Sequence, residues 1–240
     1  MHHAPHDDAS DTVVVADLSH LALLRRGRWF ADLDHEAQQA LVVAGRVRTL
    51  ADGARLFSRG DDGDGLYAVL DGALCITATS ESGRELLLTR MEAPTWFGEI
   101  AVFDRQPRTH DVVADGKSAV LHVPLPAVDA LLARRPTFWR ELGLLVSGKL
   151  RLAFAALEDA AALPLKPRLV RRLLVLALGH GERATGVQRV LDVTQEQLAA
   201  MLSSSRQSVN AALKDLEQEG LLKVAYGQIT LVDVERLRAL

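Results

Sequence analysis

Between Arg48 and Val123 the chain is cut by glycines into short apolar runs: ARLFSRGDDGDGLYAVLDGALCITAT, then GRELLLTRM, then SAVLHVP. Turn residues every ten or so positions, with Leu, Ile, Val and Tyr between them, predict a small all-β barrel or jelly roll. Gly60, Gly63, Gly65, Gly72 and Gly83 are expected at its corners. Leu74 and Ile76 alternate with Cys75 and Thr77, which puts Cys75 on one face of a strand as a structural thiol.

The flanks have a different texture. Residues 1–17 are polar and aperiodic and read as a disordered tail, in which His2, His3 and His6 have no acidic or cysteine partners in metal-ligand spacing. From Leu18 to Val47, Leu21, Leu24, Phe30, Leu33, Ala37, Ala40, Leu41 and Ala44 recur at the spacing of short helices. After Pro136, TFWRELGLLVSGKLRLAFAAL carries two adjacent apolar stripes. One is Phe138, Leu142, Leu145, Leu152 and Ala156, with Lys149 as its single polar member; the other is Val146, Leu150, Ala153 and Leu157. One barrel face cannot cover both stripes, so the helix is expected to pack on a twin from a second subunit. The alternative is a wide core-facing helix inside a monomer. Pro164 and Pro167 mark an expected hinge and domain boundary. The expected organisation is a tail at 1–17, a sensor domain at 18–134, a helix and hinge at 135–163 and a reader domain at 164–240.

Composition excludes several classes. With 48% hydrophobic and 25% charged residues, and no apolar run near the ~18 needed for a membrane span, an ordinary globular protein is expected. MHHAPHDDASDT lacks the basic start and apolar block of an export signal, so the expected location is cytoplasmic. A single cysteine permits no internal disulfide and disfavours an iron–sulfur cluster. The net charge of −3 is uneven: from Leu163 onward eleven basic residues face eight acidic ones, leaving the rest of the chain at −6. No paired carboxylates, nucleophile–base spacing or metal set emerges, so neither an enzyme nor a metal site is expected.

Two stretches carry chemistry. In FGEIAVFDRQPRTH, Gly98 lets a ligand approach the backbone, Glu99 can accept from a sugar hydroxyl, Arg108 can neutralise a phosphate and Thr109 can donate to it. Ile100 and Ala101 belong to the short helix between them. The competing reading is an internal Glu99–Arg108 ion pair that braces the loop. In LDVTQEQLAAMLSSSRQSVNAALKDLEQEGLLKVAYGQITL, Thr194 and Gln197 form a capping box, a turn follows at Ser203 and Ser204, and Ser205 caps a second helix. Val209, Ala212, Leu213 and Leu216 face inward, while Arg206, Gln207, Asn210 and Lys214 face out. Two short strands around Tyr226 and Gly227 complete a winged helix-turn-helix, a unit suited to the major groove of double-stranded DNA.

These three ordered motifs resemble the cyclic AMP receptor protein and FNR family of bacterial transcription regulators over nearly the whole ordered length. The resemblance implies an α+β protein: a cyclic-nucleotide-binding β-barrel or jelly roll, a long dimerisation helix and a C-terminal winged helix-turn-helix. It also implies a homodimer on palindromic half-sites that works with RNA polymerase. By position, Gly98 and Glu99 would take the ribose, Arg108 and Thr109 the cyclic phosphate. Thr194, Ser204, Ser205, Arg206, Gln207, Asn210 and Lys214 would meet DNA, with Arg206 on the family's guanine-contacting arginine. Gln207 and Ala211 replace an acid and a second arginine of the cyclic AMP receptor. His110 replaces a small residue, and Ala153 and Phe154 replace the Thr-Ser pair that receives adenine; Phe154 can stack on a base but not bond its edge. The expected effector is therefore cyclic AMP or cyclic GMP, with cyclic di-GMP as the alternative. A ligand-independent or haem-type regulator, with His110 and Cys75 as axial ligands, is the remaining reading.

Overall fold

The computed structural model describes residues 13–80, 83, 85–180 and 186–240. In chain order these form β1 (Val13–Val15), α1 (His20–Leu24), α2 (Arg28–Asp32), α3 (His35–Ala44), β2 (Arg46–Leu50), β3 (Arg55–Phe57), β4 (Gly65–Thr79), β5 (Glu85–Glu92), β6 (Trp96–Phe97) and α4 (Glu99–Asp104). Then come β7 (Asp111–Pro124), α5 (Leu125–Arg134), α6 (Phe138–Ala162), α7 (Leu165–Ala177), β8 (Val190–Leu191), α8 (Gln195–Met201), α9 (Arg206–Gln218), β9 (Leu222–Ala225), β10 (Gln228–Leu231) and α10 (Val234–Arg238).

The glycine-punctuated region is the anticipated antiparallel jelly roll, ordered β1-β2-β7-β4-β5 with β3 on β7 and β6 on β4. Its longest strands, β4 and β7, pair from Gly65↔Pro124 to Thr77↔Asp111, and shifts in register near Gly72 bend them. Gly60, Gly65, Gly72 and Gly83 take the positive φ that favours glycine. Gly63 does not: its missing Cβ instead makes room for Ala101, whose own Cβ would lie 2.5 Å away. The Leu74–Thr77 alternation also breaks, because the ladder with β5 shifts between Ile76 and Thr77 and turns Thr77 inward.

Several elements depart from the expectation. The polar-tail reading of 1–17 fails at Val13–Val15, a β-branched triplet that pairs with β2; His2, His3 and His6 lie outside the described residues. Helix α5, the short strand β8 and helix α10 were not anticipated. The expected break at Pro164 and Pro167 is present as the junction between α6 and α7. Pro164 forces Leu163 into extended backbone and so ends α6, and Pro167 falls in the first turn of α7, where its missing N–H has no partner to lose.

Three hydrophobic clusters hold the chain. The barrel interior contains Leu50, Leu56, Tyr67, Val69, Leu74, Met91, Phe97, Val112 and Val120. A second cluster lies under α1–α3, α5 and the start of α6, and its aromatic centre stacks Phe30 on Trp96 at 5.4 Å with Trp29 edge-on to Trp96 at 5.3 Å. Trp29 Nε1 donates to the Glu141 carbonyl at 2.6 Å, which fastens α6 to α2. The third cluster belongs to α7–α10 and the small sheet β8-β10-β9. Along α6 only Phe138, Leu142 and Leu145 are buried; Leu144, Leu150, Phe154 and Leu157 are exposed, so this chain alone does not cover the second stripe. Leu142→Ala should lower unfolding free energy by about 2–5 kcal/mol in chemical denaturation, since it opens a cavity where the side chain is wholly enclosed.

Candidate ligand cradle and nucleic-acid interface

The cradle is built where β6 turns into α4. Gly98 caps α4 with φ 93°, and a Cβ there would lie 2.8 Å from the Gly65 carbonyl oxygen and 2.9 Å from Arg108 Nη1. Only glycine allows the backbone and the guanidinium this close. Arg108 is buried at 5% exposure. Its Nη2 donates to Asp64 Oδ1 at 2.5 Å and to the Gly65 carbonyl at 3.0 Å, and Nη1 donates to the Gly98 carbonyl at 3.2 Å. The guanidinium lies over Phe57, 4.4 Å from the ring centre. One donor, Nε, is buried with no partner. An orphaned buried N–H on a cation costs free energy until an acceptor reaches it, so the arrangement is suited to an anion.

Asp64 is the counter-charge. Burial alone would raise its proton affinity, but hydrogen bonds from the Tyr67 hydroxyl, at 2.6 Å, and from Arg108 hold the carboxyl below its usual range. Burial and the neighbouring carboxylate push the Tyr67 phenol up. His122 stacks on Tyr67 at 4.5 Å with Nε2 3.2 Å from the Asp64 carbonyl, and burial lowers its pKa.

Glu99, buried in the first turn of α4, does not pair with Arg108. Its Oε2 accepts from Lys149 Nζ of α6 at 2.7 Å, so the competing reading of a Glu99–Arg108 brace fails: each member has a different partner. Ala101 is buried against Gly63, and Ile100 is exposed. Thr109 is exposed, with Oγ1 2.8 Å from His110 Nδ1; burial and then Arg59 lower the pKa of His110. Phe154 is not in this group. It follows Lys149 by five residues, about 140° around the helix, and stands exposed on α6 without ring contacts among the described residues. Asp64, Tyr67, Phe57 and Lys149 are site residues that sequence reasoning missed. The lone cation in an apolar stripe was the available signal for Lys149.

In the reader, the capping box is present: Thr194 Oγ1 accepts from the Gln197 N–H at 3.1 Å, and Gln197 Oε1 accepts from the Thr194 N–H at 2.9 Å. Ser203 turns with φ 49°, Ser204 is half-buried, and Ser205 caps α9 by accepting from the Ser208 N–H at 3.0 Å. Arg168 Nη2 donates to the Leu202 carbonyl at 2.8 Å and pins the turn to α7. Val209, Ala212, Leu213 and Leu216 are buried; Arg206, Gln207 and Lys214 are exposed, and Asn210 is half-buried beside them. At the tip of the β9–β10 wing Tyr226 is wholly exposed. Among the described residues, no helix is long and apolar enough to cross a membrane, and no group of three or more His, Cys, Asp or Glu is placed to hold a metal.

Fold and site together define a ligand-sensing barrel joined by a long helix to a DNA-reading domain. Comparison with known proteins agrees: residues 47–135 match the cyclic nucleotide-binding domain and residues 167–240 the Crp-like helix-turn-helix domain. The "CRP-like cAMP-activated global transcriptional regulator" of Mycobacterium tuberculosis is 30% identical over 216 residues, 90% of this chain and 96% of that protein. "Transcriptional regulator SdrP" of Thermus thermophilus is 32% identical over 180 residues, 74% of this chain and 84% of that one. Among solved structures, FixK2 from Bradyrhizobium japonicum superposes with TM-score 0.72 at 18% identity, covering 82% of this chain and 96% of that chain. The c-di-GMP responsive regulator CLP from Xanthomonas campestris does so with TM-score 0.64 at 22% identity, covering 82% and 99%. The chain belongs to the CRP/FNR family of transcription regulators.

Asp64 has a pH signature. Its depressed native pKa contributes stability that is complete above about pH 4 and is lost as pH falls below that value. Asp64→Asn should therefore lower Tm at neutral pH, and the gap to the unaltered protein should narrow in thermal melts below pH 4.

Proposed function

We propose that this protein is a homodimeric, cytoplasmic regulator whose promoter binding is set by a cyclic nucleotide, cyclic AMP or cyclic GMP, seated on Gly98, Glu99, Ile100, Ala101, Arg108, Thr109 and His110. The observation that carries the reading is the buried Arg108 guanidinium, with its orphaned Nε and only one carboxylate against it, beside a glycine that exposes backbone. The cyclic phosphate would compete with Asp64 for Arg108. Glu99, freed from Lys149 or shared with it, would accept from the ribose. Identity of 30% over 216 residues to a regulator described as cAMP-activated supports the same choice.

In this reading the working domains are 18–134, 135–163 and 164–240, and the exposed α6 stripe of Leu150 and Leu157 closes on its twin. Because Phe154 points away from Lys149, it serves the partner's cradle across that twin. Two readers then meet palindromic half-sites one helical turn apart, and RNA polymerase is the neighbour at the promoter. Thr194, Ser204, Ser205, Arg206, Gln207, Asn210 and Lys214 are the DNA contacts, with base readout by Arg206, Gln207 and Asn210 at the front of α9. The hydroxyls of Thr194 and Ser205 serve their helix caps and orient the backbone toward phosphate.

Calorimetric titration against cyclic AMP, cyclic GMP and cyclic di-GMP tests the ligand. One of the first two should bind in the micromolar range or tighter, and Arg108→Ala should abolish binding while leaving the protein folded and dimeric. Preference for cyclic di-GMP would move the assignment to the larger ligand, and unchanged affinity in Arg108→Ala would overturn the cradle. Arg206→Ala should cost about 1–3 kcal/mol on the preferred duplex and relax selectivity at one base step per half-site, read by anisotropy on a panel of duplexes.

A further inference from the structure

The reader is not independent of the barrel. Leu87 of β5 packs against the hydrophobic cluster of the reader. Gln197 Nε2, in the first turn of α8, donates to Asp115 Oδ2 at 3.0 Å, and the same carboxylate accepts from Arg90 Nε of β5 at 2.6 Å. At the end of α7 the backbone turns with His180 at φ 59°, and His180 Nε2 lies 2.5 Å from Thr89 Oγ1 of β5. Its other ring nitrogen, Nδ1, is buried without a partner. Burial, then Arg172 of α7 and Lys149 of α6, push the imidazole down to about 4. Arg90 and Glu92 of β5 and Asp192 before α8 line the small cavity on its other side.

The position of Lys149 gives this contact its meaning. Lys149 holds Glu99 at 2.7 Å, and its charge also acts on His180, so the cradle and the reader's corner share one lysine. Resting on the cradle reading above, we propose that the turn at His180 is an autoinhibitory latch: seated on Thr89, it holds the reader against the barrel, and ligand entry and reader docking exclude one another. The docked reader is also unfit for DNA, because Asp115 sets a carboxylate against the start of α8, beside Thr194, where a DNA phosphate would be repelled. A ligand that draws Glu99 away from Lys149 changes the charge that faces His180 and unseats it. Conversely, removing the latch raises the fraction of protein competent for ligand and for DNA.

The orphaned Nδ1 adds a direction. Undocked, His180 regains an ordinary pKa near 6.5, so acid favours the undocked state; docking should be complete above that value and weaken about tenfold between pH 7.5 and 5.5.

Full-length protein labelled with 13C at histidine Cε1, with the His180 resonance assigned by its loss in His180→Gln, tests the latch. Without nucleotide, His180 should stay neutral at pH 5.5. Thr89→Val, which keeps the strand's shape and removes the hydroxyl, should bring its titration toward 6.5, as should saturating cyclic AMP or whichever nucleotide binds. His180→Gln should bind a selected duplex at least about fivefold tighter than the unaltered protein in the absence of nucleotide, the lower end of ordinary coupling. A His180 that titrates near 6.5 in nucleotide-free protein overturns the latch, as does unchanged DNA affinity in His180→Gln. If no nucleotide binds at all, the cradle reading fails, while the titration and the duplex measurement still decide the latch.

Discussion

A buried cation governs this molecule. Placing the Arg108 guanidinium inside the mouth of the barrel is costly unless its donors are met, and the fold meets three of its five with one carboxylate and two backbone carbonyls while an aromatic ring covers its face. The surroundings follow from that requirement. Gly98 must lack a side chain to let the cation in, Gly63 must lack one to admit Ala101, and Asp64 must stand at the head of β4. Tyr67 and His122 then orient Asp64 from the strand face behind it.

The second constraint is that this site is not closed by the barrel alone. Glu99 is satisfied by Lys149, fifty residues away on α6, and the charge of the same lysine acts on His180 at the corner where the reader touches β5. A change at the cradle is thus one ion pair away from the long helix, and the charge of that pair is felt in the DNA-reading domain. Such a chain of groups is a physical route for coupling if its members switch between discrete arrangements.

The architecture was legible in the sequence because each part announces itself locally. Glycines at strand corners, the Thr194–Gln197 capping box, the Ser205 cap and the spacing of Val209, Ala212, Leu213 and Leu216 are all short-range signals. The rest of the cradle was not legible, for a physical reason. Asp64 and Arg108 are 44 residues apart, and Glu99 and Lys149 are 50 apart, so a sequence that shows two charges near each other suggests the wrong pair. Local reading offered a Glu99–Arg108 pair only as the competing reading; the fold gave each a distant partner. The spacing of Val128, Leu131 and Leu132 did carry the signal of α5, hidden by its abutting the end of β7, whereas the two residues of β8 are too few to leave any periodicity.

The central claim is that cradle and reader share one free-energy balance. Linkage makes this measurable without knowing which state is active: the factor by which nucleotide changes duplex affinity must equal the factor by which duplex changes nucleotide affinity. Nucleotide titration of the protein alone and of the protein saturated with its selected duplex is the direct measurement. The account predicts that the two affinities differ, by roughly 5-fold or more at ordinary coupling strengths. Equal nucleotide affinity with and without duplex would contradict it.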